Sequence, residues 1–118
     1  MQLDHIAINV NNVRKAAKWY VNNLGASIRY IDDTWASLSL GETILALTLP
    51  KQHPPHIAIS VKRFSDFPEG HEIKYHRDGS AYLYIEDIDG NTIEYIYWPG
   101  GRRSVSYTHL TLPTIYSV

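Results

Sequence analysis

The segment that decides the fold is Asp87-Ile88-Asp89-Gly90-Asn91-Thr92-Ile93-Glu94, in which a tight turn leads into a strand. Gly90 and Asn91 tolerate the positive φ angles that such turns require. Residues 92–98 are almost all β-branched or aromatic, so they predict a strand in which Glu94 is the one charged group. A carboxylate within an apolar strand is costly unless it has a partner. The sequence therefore predicts either a partnered Glu94 or an edge strand that exposes Glu94 to water.

Size and composition narrow the class of protein. The chain has 118 residues, a formal net charge of −1 and no cysteine. This length predicts one domain, and the balanced charge without a basic stripe argues against nucleic acid or an anionic membrane as partner. Disulfides and thiolate metal sites are excluded. No apolar run is long enough to span a bilayer, and the N-terminus shows no signal-peptide pattern. We therefore expect a cytoplasmic protein.

The two halves of the chain repeat one pattern. His-Ile-Ala-Ile-Asn-Val at 5–10 matches His-Ile-Ala-Ile-Ser-Val at 56–61, and Gly-Glu-Thr-Ile-Leu at 41–45 matches Gly-Asn-Thr-Ile-Glu at 90–94. Such self-similarity indicates duplicated structural units. We predict an α+β fold, in which two tandem βαβββ modules form a cupped mixed β-sheet with a concave metal cleft.

The boundaries of the modules follow from this repeat. The predicted single domain covers 1–101, with module one at 1–50, a proline-rich linker at 51–55 and module two at 56–101. Hydrophobic periodicity predicts a helix at Val13–Leu24 and only a turn or two of helix within 62–70. The predicted strands are 3–10, 27–31, 35–40, 43–49, 56–61, 71–76, 80–86 and 92–98.

The alternation of side chains along the strands predicts a cluster of metal ligands. In strand 3–10 the alternate apolar residues should pack under the helix, which turns His5 toward the cleft. The repeat places His56 on the same side, and Glu94 follows if its strand obeys the same rule. One such histidine alone would be typical of a solvated strand end. Two at equivalent positions, together with Glu94, suit a divalent metal and leave coordination positions open.

Three motifs carry a family resemblance. The segments at 4–10, 56–59 and 87–94 resemble the vicinal oxygen chelate superfamily, and both halves of 1–100 fit. This superfamily includes glyoxalases, methylmalonyl-CoA epimerases, type I extradiol dioxygenases, fosfomycin-modifying enzymes and bleomycin-resistance proteins. The resemblance implies a glyoxalase-like fold, usually a homodimer, and a small-molecule substrate.

The resemblance also implies how the site works. The metal-ligand positions of the family fall on His5, His56 and Glu94, and Glu94 is also our candidate catalytic residue. One divalent ion (Zn, Ni, Mn or Fe(II)) would act as a Lewis acid on two adjacent oxygens of the substrate. Lyase, isomerase and ring-cleaving dioxygenase chemistry remain open. The alternative is a non-catalytic protein that binds a small molecule or an antibiotic.

Two positions depart from the family pattern. Glyoxalases and the epimerases usually carry a fourth ligand at the first-module position that matches Glu94, which we assign to Leu45. Fosfomycin enzymes usually carry threonine where this chain has Ala7. The bleomycin-binding members generally lack the metal triad. The leucine at the fourth-ligand position favours a three-ligand site. The presence of the triad favours an enzyme over a protein that only binds an antibiotic.

Further residues are weaker candidates for contacts with the substrate. Aromatic residues of a sheet more often belong to a core or an interface, and the two residues before the hairpin turn at 78–79 more often belong to a solvated turn. We interpret His53 and His71 as surface residues. The candidate substrate-binding residues are Trp35, Tyr82, Tyr84, Trp98, His76 and Arg77.

The C-terminal segment 102–118 matches nothing in the repeat. It resembles translated sequencing-adaptor read-through, so we interpret it as foreign to the fold and exclude it from the functional argument. An alternative is that 107–112 adds a strand at a free sheet edge. We do not expect His109 to be a metal ligand.

Overall fold

The computed structural model describes residues 1–100, so the tail at 102–118, with its alternative strand and His109, lies outside the described residues. Within this part of the chain, no helix combines the length and the apolar character needed to cross a membrane. The elements are β1 (Gln2–Asn9), α1 (Val13–Leu24), β2 (Ser27–Ile31), β3 (Trp35–Leu40), β4 (Thr43–Thr48), β5 (His56–Ser60), a 3₁₀ turn (Phe64–Asp66), β6 (Lys74–Tyr75), β7 (Ala81–Glu86) and β8 (Thr92–Tyr97).

All the strands of residues 1–100 join one eight-stranded mixed sheet in the order β2-β3-β4-β1-β5-β8-β7-β6. Each module places its first strand parallel to its last, since β1 pairs with β4 and β5 pairs with β8. The two modules then join through the antiparallel pair β1 and β5. The predicted α+β fold with a cupped mixed sheet is confirmed, and both halves of the cleft come from one chain.

In module one, α1 covers the convex face of the sheet. The Asn12 side chain accepts a hydrogen bond from the Lys15 N–H at 3.0 Å, and Gly25 ends the helix with a φ of 71°. Val13 and Ala17 are buried against the sheet. The other buried members of this core are Ala26, Ala36, Leu38 and Leu47.

Module two replaces the helix with the single 3₁₀ turn. Pro68 disfavours helical backbone at the residue before it, and Phe67 is accordingly extended, with a ψ of 143°. The Phe67 side chain is buried in a second, smaller core. The predicted strand 71–76 was too long: the structure keeps Lys74–Tyr75 alone, because the mostly polar remainder gains little by extending an edge strand.

Candidate metal centre

The pairing of three central strands brings the predicted ligands together. His5 lies opposite Ala58, and His56 lies opposite Ala7, so the two histidines are diagonal neighbours on the concave face. Glu94 on β8 lies beside Ala58 in the parallel pair. Ala7 and Ala58 are both buried and lack bulk. The three longer side chains therefore meet over a floor of alanines.

The three side chains converge on one small volume. Glu94 Oε1 lies 3.2 Å from His56 Nε2 and 3.5 Å from His5 Nε2. The two Nε2 atoms are 3.3 Å apart. Glu94 is only 2% exposed, and β8 is an interior strand rather than an edge. The sequence alternative of a solvent-exposed Glu94 is therefore wrong, since this carboxylate has partners.

The outer nitrogens of both histidines are held by acceptors. His5 Nδ1 is 2.8 Å from Asp4 Oδ2, and His56 Nδ1 is 2.8 Å from the Pro54 carbonyl oxygen. Because a carboxylate and a carbonyl only accept hydrogen bonds, each Nδ1 must donate. In the neutral rings both Nε2 atoms are then lone-pair acceptors aimed at the carboxylate. Asp4 is itself held by Trp98, whose Nε1 donates to Oδ1 at 3.0 Å.

This arrangement requires a cation. Two Nε2 lone pairs and an anionic oxygen repel one another unless a proton or a metal ion lies between them. Burial lowers the pKa of His56, but its hydrogen bonds to Glu94 and Pro54 outweigh burial and raise that pKa above its usual value. Burial raises the pKa of Glu94, yet the hydrogen bonds from His56 and His76 bring it down to about 2. Two imidazoles with a charged carboxylate are donors that a divalent metal accepts.

The position equivalent to Glu94 in module one is Ala46, and its assignment to Leu45 was wrong. In the parallel pair of β1 and β4, Ala46 lies opposite Ala7, as Glu94 lies beside Ala58. Leu45 points to the other face and packs against the core under α1. The turns before β4 and β8 differ in length. An alignment of Gly41 with Gly90 therefore pairs positions of β4 and β8 that are offset by one residue. Ala46 cannot ligate either, so the inference of three ligands is unaffected.

The three candidate ligands line a cleft of about 830 Å³, a volume in the range of small-molecule sites. Tyr82 is absent from the lining of this cleft; its ring stacks on His76 at 3.7 Å between centroids and 8° between planes. The predicted substrate-binding residues that line the cleft are Trp35, Tyr84, Trp98, His76 and Arg77.

Sequence reasoning missed contacts of two histidines. His76 Nε2 lies 2.9 Å from Glu94 Oε2, so His76 contacts the central carboxylate. His53 is exposed, as interpreted, but it also lines the cleft, with its Nδ1 3.4 Å from the Tyr84 hydroxyl. The pKa of His53 is lowered, mainly by burial and to a smaller extent by the nearby His56. Its place three residues before a candidate ligand in a stiff linker was the available signal.

The sequence profile of the Glyoxalase/Bleomycin resistance protein/Dioxygenase superfamily matches residues 2–73, which is more than half of the chain. The chain belongs to this superfamily. The resemblance drawn from the three motifs is therefore confirmed. Among curated proteins, none matches this sequence.

Several solved structures share the fold. A hypothetical protein from Bacillus halodurans is 20% identical, with a TM-score of 0.65 over 82% of this chain and 94% of that chain. A superfamily member from Vibrio splendidus is 12% identical, with a TM-score of 0.60 over 80% and 97%. Methylmalonyl-CoA epimerase from Streptomyces coelicolor is 16% identical, with a TM-score of 0.62 over 82% and 96%. At these identities, the likeness shows the fold alone.

Proposed function

We propose that this protein is a small-molecule metalloenzyme in which His5, His56 and Glu94 hold one divalent metal ion. The observation that carries the proposal is the convergence of three acceptor atoms, all within 4.8 Å of one another, in a cleft. When bound, the metal supplies Lewis-acid polarisation of two adjacent oxygens of the substrate.

The chain's own residues orient the ligands and leave room for a substrate. Asp4 and the Pro54 carbonyl fix the two imidazoles through Nδ1, and such outer partners tune metal sites. Ala46 has no donor atom in its side chain, so the coordination position beside it stays open to a substrate. Trp35 and Trp98 line the cleft and offer aromatic surface on which a flat or aliphatic group of the substrate would pack. These features support binding of a substrate with two oxygens directed at the base of the cleft.

A second reaction class is favoured by the alanine at position 46. Two histidines and one carboxylate, with no fourth protein ligand, form the donor set of many non-haem iron(II) oxygenases. Catechols are then candidate substrates, alongside 2-oxoaldehyde–thiol adducts for glyoxalase-like chemistry. The rim of the cleft also carries Arg77, an exposed cation that suits an anionic substituent.

The first experiment is the metal stoichiometry of purified protein after loading with zinc, nickel, manganese or iron(II) under anaerobic conditions. We expect one equivalent per chain in the parent and nearly none in His56→Ala. His71→Ala is the matched control, because His71 is an exposed histidine outside the cleft. A parent that binds none of the four metals would favour the non-catalytic binding protein instead.

The second experiment is a substrate screen of the loaded protein with 2-oxoaldehyde–thiol adducts, catechols and CoA thioesters. The thioesters are included because the Streptomyces coelicolor epimerase structure is a complex with 2-nitronate-propionyl-CoA. Turnover that is lost in His56→Ala and retained in His71→Ala would support metal-dependent catalysis. Binding without turnover of any class would support the binding-protein alternative.

We also propose a homodimer. The sheet ends in two strands, β2 and β6, that pair on one side only among the described residues. Free sheet edges are normally covered or paired, and a two-fold dimer is the commonest closed assembly. Sedimentation analysis at micromolar concentration should give twice the chain mass, and a stable monomer would contradict the proposal.

A further inference from the structure

We propose that His76 is a positioning residue that makes Glu94 a one-oxygen ligand. This inference rests on the proposed function, because it concerns how the candidate ligand Glu94 is presented. It assigns His76 a role different from the substrate contact that its sequence position indicated.

The two oxygens of Glu94 have different partners. Oε1 faces the Nε2 atoms of His5 and His56, at 3.5 and 3.2 Å. Oε2 lies 2.9 Å from His76 Nε2. Because a carboxylate only accepts hydrogen bonds, His76 Nε2 must donate to it. The carboxylate is therefore divided, with one oxygen for the ligand cluster and one for His76.

His76 differs from the two candidate ligands in its tautomer. In their neutral forms, His5 and His56 donate from Nδ1 and direct Nε2 lone pairs inward, whereas His76 carries a hydrogen on Nε2. A protonated Nε2 cannot ligate a metal. Among the described residues, the group that converges on a possible ion contains His5, His56 and Glu94 but not His76. The geometry therefore places His76 one layer outside the ligands.

The ring of His76 is held in place independently of any ligand. It stacks on Tyr82 at 3.7 Å and 8°. The turn that presents it is closed by two backbone hydrogen bonds, from His76 N–H to the Ser80 carbonyl at 2.9 Å and from Gly79 N–H to the His76 carbonyl at 3.0 Å. Asp78 supports the turn by accepting from the Ser80 N–H and hydroxyl. His76 is thus a fixed donor against which Glu94 is oriented.

The burial of Glu94 makes this donor important. Glu94 is 2% exposed, so water has little access to replace a missing hydrogen bond at Oε2. Without the donor, the carboxylate can turn and offer both oxygens to the cation. Replacing an outer partner of a metal ligand typically lowers metal affinity by roughly 10–100-fold. We expect a loss of that size when the N–H of His76 is removed.

The test compares two variants of the full chain that differ in one property. His76→Phe keeps an aromatic ring to stack on Tyr82 but removes the donor. His76→Gln removes the ring but keeps an N–H donor at similar reach. His71→Phe is the control at an exposed histidine. Zinc affinity is measured by competition with a chromophoric chelator, and the absorption bands of the cobalt(II) form report a change in coordination geometry.

We expect roughly 10–100-fold weaker zinc binding and an altered cobalt spectrum in His76→Phe. His76→Gln should retain most of the affinity and the parent spectrum, as should His71→Phe. Unchanged affinity in His76→Phe would overturn the proposal. Equal loss in both His76 variants, with native circular dichroism, would also overturn it, because the imidazole itself would then be required. If His76→Phe does not fold, His76→Gln and the measurement below decide.

A measurement without metal separates this inference from the proposed function. In the metal-free protein, long-range ¹H–¹⁵N correlation spectra report which ring nitrogen of each histidine carries hydrogen. We expect His76 to be protonated at Nε2. In Glu94→Gln, which replaces the carboxylate acceptor, the Nε2 hydrogen should lose its protection from exchange with water. An Nδ1–H tautomer of His76 would overturn the positioning role. A parent that binds no metal would overturn the proposed function, while this spectrum still tests the bond to Glu94.

Discussion

The two modules share a strand framework but differ in the helix that covers the sheet and in the candidate ligands that they contribute. Module one covers its convex face with α1 and contributes one candidate ligand, His5. Module two has only a 3₁₀ turn on that face and contributes His56 and Glu94, together with His76 behind the carboxylate. The repeat therefore sets where ligands are placed, and the departures from the repeat set which chemistry the site supports.

The clearest departure is the pair Ala46 and Glu94. Each lies next to an alanine of the first strand of its module, Ala7 or Ala58. Only Glu94 carries a charge, and it is stabilised in a buried position by histidines from both modules. Duplicated modules can thus keep their geometry while one copy loses or gains a ligand, which makes this pair the place to test the asymmetry.

The largest effect is expected from Glu94→Ala, which makes module two resemble module one. Loss of the one anionic donor should weaken zinc binding by more than the roughly 10–100-fold typical of outer partners. Isothermal titration calorimetry measures this effect. Glu86→Ala is the control, because Glu86 is an exposed carboxylate on the adjacent strand β7. Equal affinity in the parent and Glu94→Ala would exclude Glu94 as a ligand.

The next prediction makes module one resemble module two. Ala46→Glu should add a carboxylate facing the cleft, strengthen zinc binding and slow any reaction that needs an open coordination position. Leu45→Glu is the contrast, because it buries a charge near the core under α1 and should lower the free energy of unfolding by about 1–3 kcal/mol without strengthening zinc binding. Calorimetry and thermal unfolding measure the two effects. Stronger zinc binding in Leu45→Glu would contradict the observed register.

This contrast also shows what sequence reasoning can reach. Alternation along β1 and β5 was enough to place His5 and His56, because both motifs begin at the same point of the repeat. The register of β4 was not accessible, because a one-residue slip reverses every side chain and the turns before β4 and β8 differ in length. The contact of His76 with Glu94 depends on a turn and on two side-chain conformations. No periodic pattern encodes those features.

A third effect is a dependence on pH that differs between metal-free and metal-loaded protein. The pKa of His56 is raised on folding, so its contribution to stability is present below the unfolded pKa of about 6.5 and is lost as pH rises through the folded value. The contribution of His56 to the stability of the metal-free protein should therefore fall as pH rises from about 6 to about 8. Over the same range zinc should bind more tightly, because fewer protons compete for Nε2.

Chemical denaturation with and without zinc measures this opposition. His56→Gln is the matched variant, because it removes the titrating group from the cluster. The slope of metal-free stability against pH should become smaller in that variant. If the parent and His56→Gln show the same slope, His56 is not the group responsible.

The smallest effect is expected from Trp98→Phe, which acts on module one from a greater distance. Trp98 Nε1 donates to Asp4 Oδ1 at 3.0 Å, and Asp4 Oδ2 in turn holds His5 Nδ1 at 2.8 Å. The indole is thus one layer further from the candidate metal position than His76, which contacts the candidate ligand Glu94 directly. Phenylalanine keeps apolar packing but removes the N–H. We expect zinc binding to weaken by less than the roughly tenfold lower bound for direct outer partners.

Chelator competition measures this change, with His76→Phe in parallel. A loss in Trp98→Phe as large as in His76→Phe would mean that the Asp4–His5 arm of module one is as sensitive as the Glu94–His76 arm of module two, and the proposed division between the modules would fail.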